Sequence, residues 1–316
     1  MRAVEFTDKV VFRTDYPAPR AVAGEAIVQV ILAGICRTDI EITRGYMGFH
    51  GVMGHEFVGR VIQGPPRWKD KRVVAEINCV CGQCDMCTSG LSNHCRNRTV
   101  LGIAGRDGAF ADRLSVPVRN LHEVPSSVTD EEAALVEPLA AAFQLVRQIR
   151  FDAGQKVVVL GDGRLGQMVS RVLAGRCPSL VLVGKHPEKL ELAERVHVQT
   201  ALVKDFLARH DADIVVDATG TVDGFELACR TVRPRGILAL KSTYAGSQPV
   251  NLAPLVIDEI TLIGSRCGPF PDALAALARG EVDLGNLISC HMPLESAPEA
   301  LELAGSGKAM KVLLDV

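Results

Sequence analysis

The chain has 316 residues, of which 35 are Lys or Arg and 37 are Asp or Glu, and 47% are hydrophobic. This length predicts about two domains, each with a core of its own. The charges are interspersed and the net charge is −2, so no basic stripe predicts binding to nucleic acid or to an anionic membrane. Apolar runs such as Val157–Leu160 fall far short of the ~20 residues of a membrane helix. The charged N-terminus MRAVEFTDKV has no apolar signal core and predicts a cytoplasmic protein.

The segment before Pro125 is rich in glycine, proline and short β-branched runs. Ala26–Leu32 and Val58–Ile62 are examples of such runs, and glycines or prolines interrupt the chain between them. This texture predicts a small, loop-rich β domain. Beyond it, Ser126–Asp130 offers helix-start residues, and EEAALVEPLAAAFQLVRQI predicts two helices joined near Pro138.

From Lys156 the pattern becomes strand, turn and helix, repeated several times. The predicted strands and helices alternate in the order Val157–Leu160, Leu165–Ala174, Leu180–Val183, Pro187–Arg195, Ile214–Val216, Gly224–Thr231, Ile237–Leu240 and Thr261–Gly264. Apolar strands that alternate with helices predict a parallel sheet covered on both faces. The tail, Asp272–Val316, predicts a helix or two and a final strand, Lys311–Val316, that returns to the first domain.

A glycine-rich turn follows the first of these strands. The sequence Gly161-Asp162-Gly163-Arg164-Leu165-Gly166 satisfies the G-x-G-x-x-G pattern between a strand and a helix, where it binds the pyrophosphate of a dinucleotide. Free N–H groups at the start of the helix face the phosphates. The alternative is a purely structural glycine turn. The residues predicted to bind the cofactor here are Gly161, Gly163, Arg164, Leu165 and Gly166.

The end of the second strand bears on the choice of cofactor. About 20 residues past the glycines, an NAD-binding fold usually places an acid that holds the ribose 2′-hydroxyl. Here the strand ends in Gly184, Lys185 and His186, with no acid. Gly184 leaves room and the two cations suit a 2′-phosphate, which favours NADP(H) over NAD(H). The alternative is that Lys185 is only a solvated loop cation.

Four cysteines lie close together in the β-rich segment. Their spacing is C-x2-C-x2-C-x7-C, and four thiolates are the ligand set of a closed, structural zinc site. A zinc-ribbon reader of nucleic acid shows two separated C-x2-C pairs and a basic surface, and this segment has neither. The predicted ligands are Cys81, Cys84, Cys87 and Cys95, and Cys79 is a spare cysteine packed beside them.

A second candidate set of metal ligands is spread along the chain. It comprises Cys36 in GICRTD, His55 and Glu56 in GVMGHEFVG, and Glu137 in LVEPLA. Taken singly, each is better explained as a buried cysteine, a core histidine or a solvated acid. Together they offer the sulfur, nitrogen and carboxylate of a catalytic zinc that leaves one position open for substrate.

These motifs occur in an order that resembles the zinc-dependent medium-chain dehydrogenase/reductase (alcohol dehydrogenase) superfamily. Glu137 followed by Pro138 is similar to its sorbitol, threonine and glucose dehydrogenase branch. The resemblance implies an α/β fold with a GroES-like catalytic domain over residues 1–143, completed by 272–316. It implies a Rossmann domain over residues 144–271 and a homodimer or homotetramer. Short loops after Cys36 and Gly64 depart from the family, so no relative's substrate loops can be transferred.

The resemblance also implies a role for single residues. Zinc held by Cys36, His55 and the carboxylate of Glu56 or Glu137 polarises the substrate oxygen. Thr38 matches the family's Ser/Thr that relays the substrate proton, and Asp39 accepts a hydrogen bond from His55. The turn after Asp217 is similar to the family's turn near the cofactor, and its predicted contacts are Thr219 and Gly220. With the cysteine lobe, two zinc ions per chain are expected.

The predicted function is a zinc-dependent transfer of hydride between NAD(P)(H) and a secondary alcohol, polyol or sugar-like substrate. Two alternatives stay open at this point. One is a dehydrogenase of a larger hydroxyl compound, such as a bacteriochlorophyllide-type tetrapyrrole. The other is a zinc-stabilised nucleotide-binding protein without catalysis, which the joint presence of Cys36, Thr38, His55 and Glu137 disfavours.

Overall fold

The computed structural model describes residues 1–20, 22–243 and 249–316. The chain forms two compact units. The first comprises Met1–Glu137, Phe270–Arg279 and Leu287–Val316, and the second comprises Pro138–Pro269 and Gly280–Asn286.

The strands of the described residues are numbered in chain order. They are β1 Ala3–Phe6, β2 Val10–Arg13, β3 Glu25–Gly34, β4 Gly51–Val52, β5 Glu56–Gln63, β6 Arg72–Ala75, β7 Asn78–Cys79, β8 Thr99–Leu101, β9 Gly105–Arg106, β10 Arg113–Pro117, β11 Leu121–Glu123, β12 Val157–Leu160, β13 Leu180–Gly184, β14 Gln199–Leu202, β15 Ala212–Asp217, β16 Val232–Leu240, β17 Thr261–Gly264, β18 Ile288–Pro293 and β19 Lys311–Asp315.

The α-helices are numbered in the same way. They are α1 Arg37–Ile42, α2 Asp85–Thr88, α3 Asp130–Ala134, α4 Val136–Gln148, α5 Arg164–Ala174, α6 Pro187–Glu194, α7 Val222–Thr231, α8 Ala253–Ile257, α9 Phe270–Ala278 and α10 Ala297–Gly305. Among them, none combines the length and the apolar character needed to cross a membrane.

The first unit is built around a sheet with the strand order β11-β6-β5-β3-β19-β18, and β10 also pairs with β3. The long strand β3 contains the predicted run Ala26–Leu32 and pairs antiparallel with β5 and with β19. The C-terminal strand thus joins the sheet of the N-terminal segment, as the sequence predicts. Two smaller sheets, β2-β1-β4 and β7-β8-β9, complete the unit.

The second unit contains a parallel sheet with the order β14-β13-β12-β15-β16-β17. This is the order of a Rossmann dinucleotide-binding fold, in which the chain reverses direction across the sheet after the third strand. The predicted strands and helices from Val157 onward are present. The strand β14 is missing from the sequence prediction because it lies at the edge of the sheet, is partly exposed and has the polar start Gln199-Thr200.

One junction differs from its prediction. The helices α3 and α4 meet at Leu135, and Pro138 lies in the first turn of α4. A proline is tolerated there because the first N–H groups of a helix have no partner within it. The capping box of Thr129 and Glu132 fixes the start of α3.

Candidate active site, cysteine lobe and cofactor turn

Cys36 lies at the end of β3 and caps the N-terminus of α1. Its backbone N–H donates to Asp39 Oδ2 at 2.8 Å, so the carboxylate of a fully buried aspartate holds the loop that carries the thiol. The other oxygen of Asp39 lies 3.3 Å from His55 Nδ1. Asp39 therefore links the segment of Cys36 to that of His55, which immediately precedes β5.

A candidate metal-ligating cluster forms where α1 meets the start of β5. The ligand atoms of Cys36, His55 and Glu56 all lie within 4.8 Å of one another, and both His55 and Glu56 are buried. Sulfur, imidazole and carboxylate on three protein residues are the donor set of a catalytic zinc site. The residues present therefore fit a zinc ion with an open fourth position.

The electrostatics of this cluster favour a cation. Burial raises the pKa of the Cys36 thiol, but the charge and hydrogen bond of His55 outweigh burial and lower that pKa to about 6. Burial lowers the pKa of His55, but Asp39 and Cys36 raise it well above its usual value. Both shifts favour the charged forms of the two groups, and a divalent cation can take the place of the imidazolium proton.

Glu56 also contacts a buried lysine that the sequence analysis did not single out. Its carboxylate pairs with Lys311 Nζ, which also donates to the carbonyl oxygen of Ile35 at 3.1 Å. Burial lowers the pKa of Lys311 to about 8. The lysine opens β19, and β3 separates it from Glu56 in the sheet. The sequence signal for it is a charge that immediately precedes the apolar run 312–314.

The other two residues predicted near the metal lie at different distances from this cluster. Thr38 is close, since its Oγ1 lies 3.7 Å from Cys36 Sγ. Glu137 lies in the first turn of α4, is partly buried and is not a member of the cluster formed by Cys36, His55 and Glu56.

The four cysteines of the lobe converge around a common centre. The Sγ–Sγ distances are 3.6 Å for Cys84–Cys87, 3.8 Å for Cys84–Cys95 and 3.5 Å for Cys81–Cys95. Four sulfurs in a tetrahedron around zinc, each ~2.3 Å from the metal, are ~3.8 Å apart. The lobe therefore fits a tetrahedral zinc ion in its present geometry.

The thiols of the lobe do not titrate alike. Backbone N–H groups of Gln83 and Cys84 lower the pKa of Cys81 to about 6, whereas burial and the neighbouring sulfurs raise that of Cys87 to about 12. A set of four adjacent thiolates repel one another, so the last of them ionises at neutral pH only with a cation among them.

The glycine-rich turn lies at the carboxyl end of β12, in the middle of the parallel sheet. Gly161 has a φ of +108°, and a Cβ at Gly166 would lie 1.8 Å from the Gly161 carbonyl oxygen. Gly163 caps α5, of which Arg164 and Leu165 are the first residues. Backbone N–H groups at such a helix start can donate to phosphate oxygens.

The turn after β15 lies against the glycine-rich turn. A Cβ at Gly161 would lie 2.9 Å from the carbonyl oxygen of Ala218 and 3.1 Å from the backbone nitrogen of Thr219. Asp217 Oδ1 accepts from the backbone N–H and the hydroxyl of Thr219, and Gly220 has a φ of +66°. Both predicted residues, Thr219 and Gly220, therefore lie on the turn that adjoins the glycines.

At the end of β13 the structure differs from the sequence interpretation in one respect. The space beside Gly184 is filled by the carboxylate of Asp162, since a Cβ at Gly184 would lie 2.4 Å from Asp162 Oδ2. The same carboxylate accepts hydrogen bonds from the backbone of Lys185 and of His186. The side chains of Lys185 and His186 are both exposed. The sequence alone assigns no role to Asp162, because the G-x-G-x-x-G motif does not indicate which backbone groups donate to its carboxylate.

Known proteins resemble this chain over most of its length. Residues 22–126 match the alcohol dehydrogenase GroES-like domain. The 2-dehydro-3-deoxy-L-galactonate 5-dehydrogenase of Pseudoalteromonas atlantica is 30% identical over 93% of this chain and 92% of its own. The sorbitol dehydrogenase of Halalkalibacterium halodurans is 27% identical over 94% and 93%. The crystal structure of alcohol dehydrogenase TADH from Thermus sp. ATN1 superimposes with a TM-score of 0.90 at 29% identity, covering 100% of both chains.

These relatives decide between the interpretations that the sequence leaves open. They support neither a tetrapyrrole dehydrogenase nor a protein without catalysis. The GroES-like domain and the parallel sheet of the second unit also agree with the predicted fold class. The chain belongs to the zinc-type medium-chain dehydrogenase/reductase family and is an NAD(P)-dependent oxidoreductase that acts on CH–OH groups.

Proposed function

We propose that the protein oxidises a secondary hydroxyl group of a polyol or sugar acid, reversibly, at a zinc ion held by Cys36, His55 and a carboxylate. The buried cluster of Cys36, His55 and Glu56 is the observation that carries this proposal. The relatives support the substrate class, since two of them are named for sorbitol and for a deoxy sugar acid. Glu56 lies in the cluster and is one candidate for the carboxylate. Lys311 competes for it, which makes Glu137 the second candidate.

The residues around the cluster have separate tasks in the reaction. Cys36, His55 and a carboxylate would hold a zinc ion, which would supply a Lewis acid for the substrate oxygen, and a nicotinamide cofactor would supply the acceptor or donor of the hydride. Thr38 Oγ1 takes the proton of the substrate hydroxyl and passes it outward, in keeping with its distance of 3.7 Å from Cys36 Sγ. Asp39 orients the His55 ring through Nδ1 and fixes the loop of Cys36 through its N–H group.

The cysteine lobe holds a second, structural zinc ion. Its ligands are Cys81, Cys84, Cys87 and Cys95, whose sulfur atoms are already spaced as tetrahedral zinc requires. A chain with both sites occupied carries two zinc ions. A local cysteine cluster that binds metal is typical of a reducing compartment, which supports the cytoplasm as the location of the protein.

The preferred cofactor in this proposal is NADP(H). The end of β13 presents the exposed side chains of Lys185 and His186, and the carboxylate of Asp162 that contacts their backbone is buried and occupied by hydrogen bonds. A 2′-phosphate finds positive charge at this position. A 2′-hydroxyl, by contrast, lacks the acidic acceptor that an NAD-binding fold places there.

Lys185→Asp is expected to lower the preference for NADP⁺ over NAD⁺ by about tenfold or more, because a charge-assisted bond to phosphate is replaced by repulsion. The measurement is kcat/KM for both cofactors with a polyol or an aldonate as substrate. Lys308→Asp makes the same charge change at an exposed position of the first unit and serves as the control. An unchanged ratio in Lys185→Asp contradicts the cofactor proposal.

The exposed edge of the second unit supports an assembly of two or four identical chains. The strand β17 lies at the edge of the parallel sheet, and Leu262 on it is 43% exposed. Nearby in sequence, Val256 and Ile257 of α8 are each 77% exposed. Another chain can pair with an exposed apolar sheet edge. In an assembly with a twofold axis, the same surface of each copy contacts that of the other.

Val256→Asp is expected to halve the mass of the assembly, because it places a charge in the apolar patch formed by the exposed side chains of Val256, Ile257 and Leu262. Light scattering coupled to gel filtration measures this mass. Leu207→Asp changes a residue that is 69% exposed outside the patch, and the assembly is expected to keep its mass. Equal masses for Val256→Asp and the wild type would exclude this patch as the interface.

A further inference from the structure

We propose that Asp162 is the positioning residue for cofactor specificity: it fixes the turn after β13 so that Lys185 and His186 face the adenosine ribose 2′-phosphate. This inference rests on the proposed preference for NADP(H). It adds a residue that lies in the glycine-rich turn after β12, outside the strand end that carries the two cations.

The carboxylate of Asp162 is engaged from several directions at once. Its Oδ2 accepts from the backbone N–H of Lys185 at 2.6 Å and from that of His186 at 2.7 Å. The Nδ1 atom of the His186 ring lies 3.1 Å from both oxygens. The Asp162 side chain is 8% exposed, whereas that of His186 is 47% exposed. The Asp162 carboxylate is thus beneath the turn, and the side chains of Lys185 and His186 are on its surface.

This arrangement inverts the usual use of an acid at a dinucleotide site. An acid at the end of the second strand accepts a hydrogen bond from the ribose 2′-hydroxyl. Asp162 reaches the same strand end from the neighbouring turn, but protein donors occupy its oxygens. The carboxylate of Asp162 therefore stabilises the turn and the position of the His186 ring. The exposed surface of the turn presents the side chains of Lys185 and His186 to the cofactor.

Gly184 supplies an independent sign that the carboxylate belongs in this place. A Cβ at Gly184 would lie 2.4 Å from Asp162 Oδ2 and 2.5 Å from Asp162 Cβ, too close for any side chain to share the space. The φ of Gly184 is not in the left-handed region, so backbone conformation does not require glycine here. The close approach of Asp162 does require it, which makes Asp162 and Gly184 a matched pair.

The test compares Asp162→Ala with Asp162→Asn. The alanine variant loses every bond to the turn, so its Kd for NADPH is expected to rise by about tenfold or more, with a change below about threefold for NADH. The asparagine variant is expected to keep the NADPH preference, because its amide oxygen can accept the same two N–H groups. Hydrogen exchange of the Lys185 and His186 amides is expected to accelerate in Asp162→Ala and to stay slow in Asp162→Asn.

Gly184→Ala provides the matched variant on the opposite side of the contact. Its methyl group displaces the carboxylate, so the single variant is expected to weaken NADPH binding as Asp162→Ala does. The double variant is expected to be no weaker than either single variant, because both changes break one contact. Losses that multiply in the double variant overturn the pairing of the two residues.

Other outcomes overturn separate parts of the inference. Selective loss of NADH binding in both Asp162 variants shows that the carboxylate binds the ribose directly. Equal loss of both cofactors in Asp162→Ala, with a lower melting temperature, reduces Asp162 to a structural role. Unchanged amide exchange in that variant overturns the positioning itself. A wild-type protein that binds NADH more tightly than NADPH refutes the cofactor preference instead, before any variant is made.

Discussion

Cys36→Ser is expected to lower kcat by a factor on the order of 10³ or more, with little change in melting temperature. A zinc ion contributes several kcal/mol of charge stabilisation in a transition state, and ~4 kcal/mol corresponds to about 10³ in rate. Serine is not a thiolate and cannot replace Cys36 as a zinc ligand at neutral pH. The fold is expected to persist, because the backbone N–H of residue 36 still donates to Asp39 and serine caps a helix well.

The measurement combines turnover with metal content on the same sample. Zinc is expected to fall from about two to about one ion per chain, because the closed thiolate site in the lobe is untouched. Cys290→Ser makes the same substitution at a partly buried thiol outside both clusters, and is expected to keep its zinc and its activity. Full activity in Cys36→Ser would refute the proposed mechanism. Full zinc content with lost activity would assign Cys36 a role other than metal binding.

The second unit was predictable almost element by element. Its central strands, such as β12 and β15, are buried on both faces and therefore appear as short continuous apolar runs. Each run is followed by glycine or polar residues and then a helix, which predicts a parallel sheet covered on both faces, whereas the order of its strands is known from the structure. The edge strand β14 escaped prediction because exposure there relaxes the need for apolar residues.

The sequence alone predicted the candidate metal ligands of the site, but not the residues that contact those ligands. Cys36, His55 and Glu56 stand in recognisable motifs, and the sheet brings the three together. Lys311 meets Glu56 across 255 residues of sequence, by way of the register between β3 and β19. A Cβ at Gly34 would lie 2.8 Å from both the Glu56 carboxylate and Lys311, so this glycine makes their contact possible.

The second large effect is expected for Cys84→Ser, which should lower the melting temperature by on the order of 10 °C. Structural zinc contributes its binding free energy directly to folding, and the total stability of a domain is small by comparison. Two of the short Sγ–Sγ distances in the lobe involve Cys84, so the substitution removes a ligand from the centre of the set. The helix α2 is expected to remain formed, because Cys84 is its N-cap residue and serine is a favoured N-cap.

Zinc content and calorimetry on the same samples separate the metal from the side chain. Cys84→Ser is expected to lose one zinc ion and to melt early, whereas the control Cys290→Ser keeps both properties. A chelator that strips the wild type of zinc should lower its melting temperature to that of Cys84→Ser and leave the variant nearly unchanged, because the variant has no structural zinc left to lose. A Cys84→Ser protein with wild-type zinc content and melting temperature would show that the four sulfurs hold no structural metal. Early melting with full zinc content would instead trace the effect to packing within the lobe.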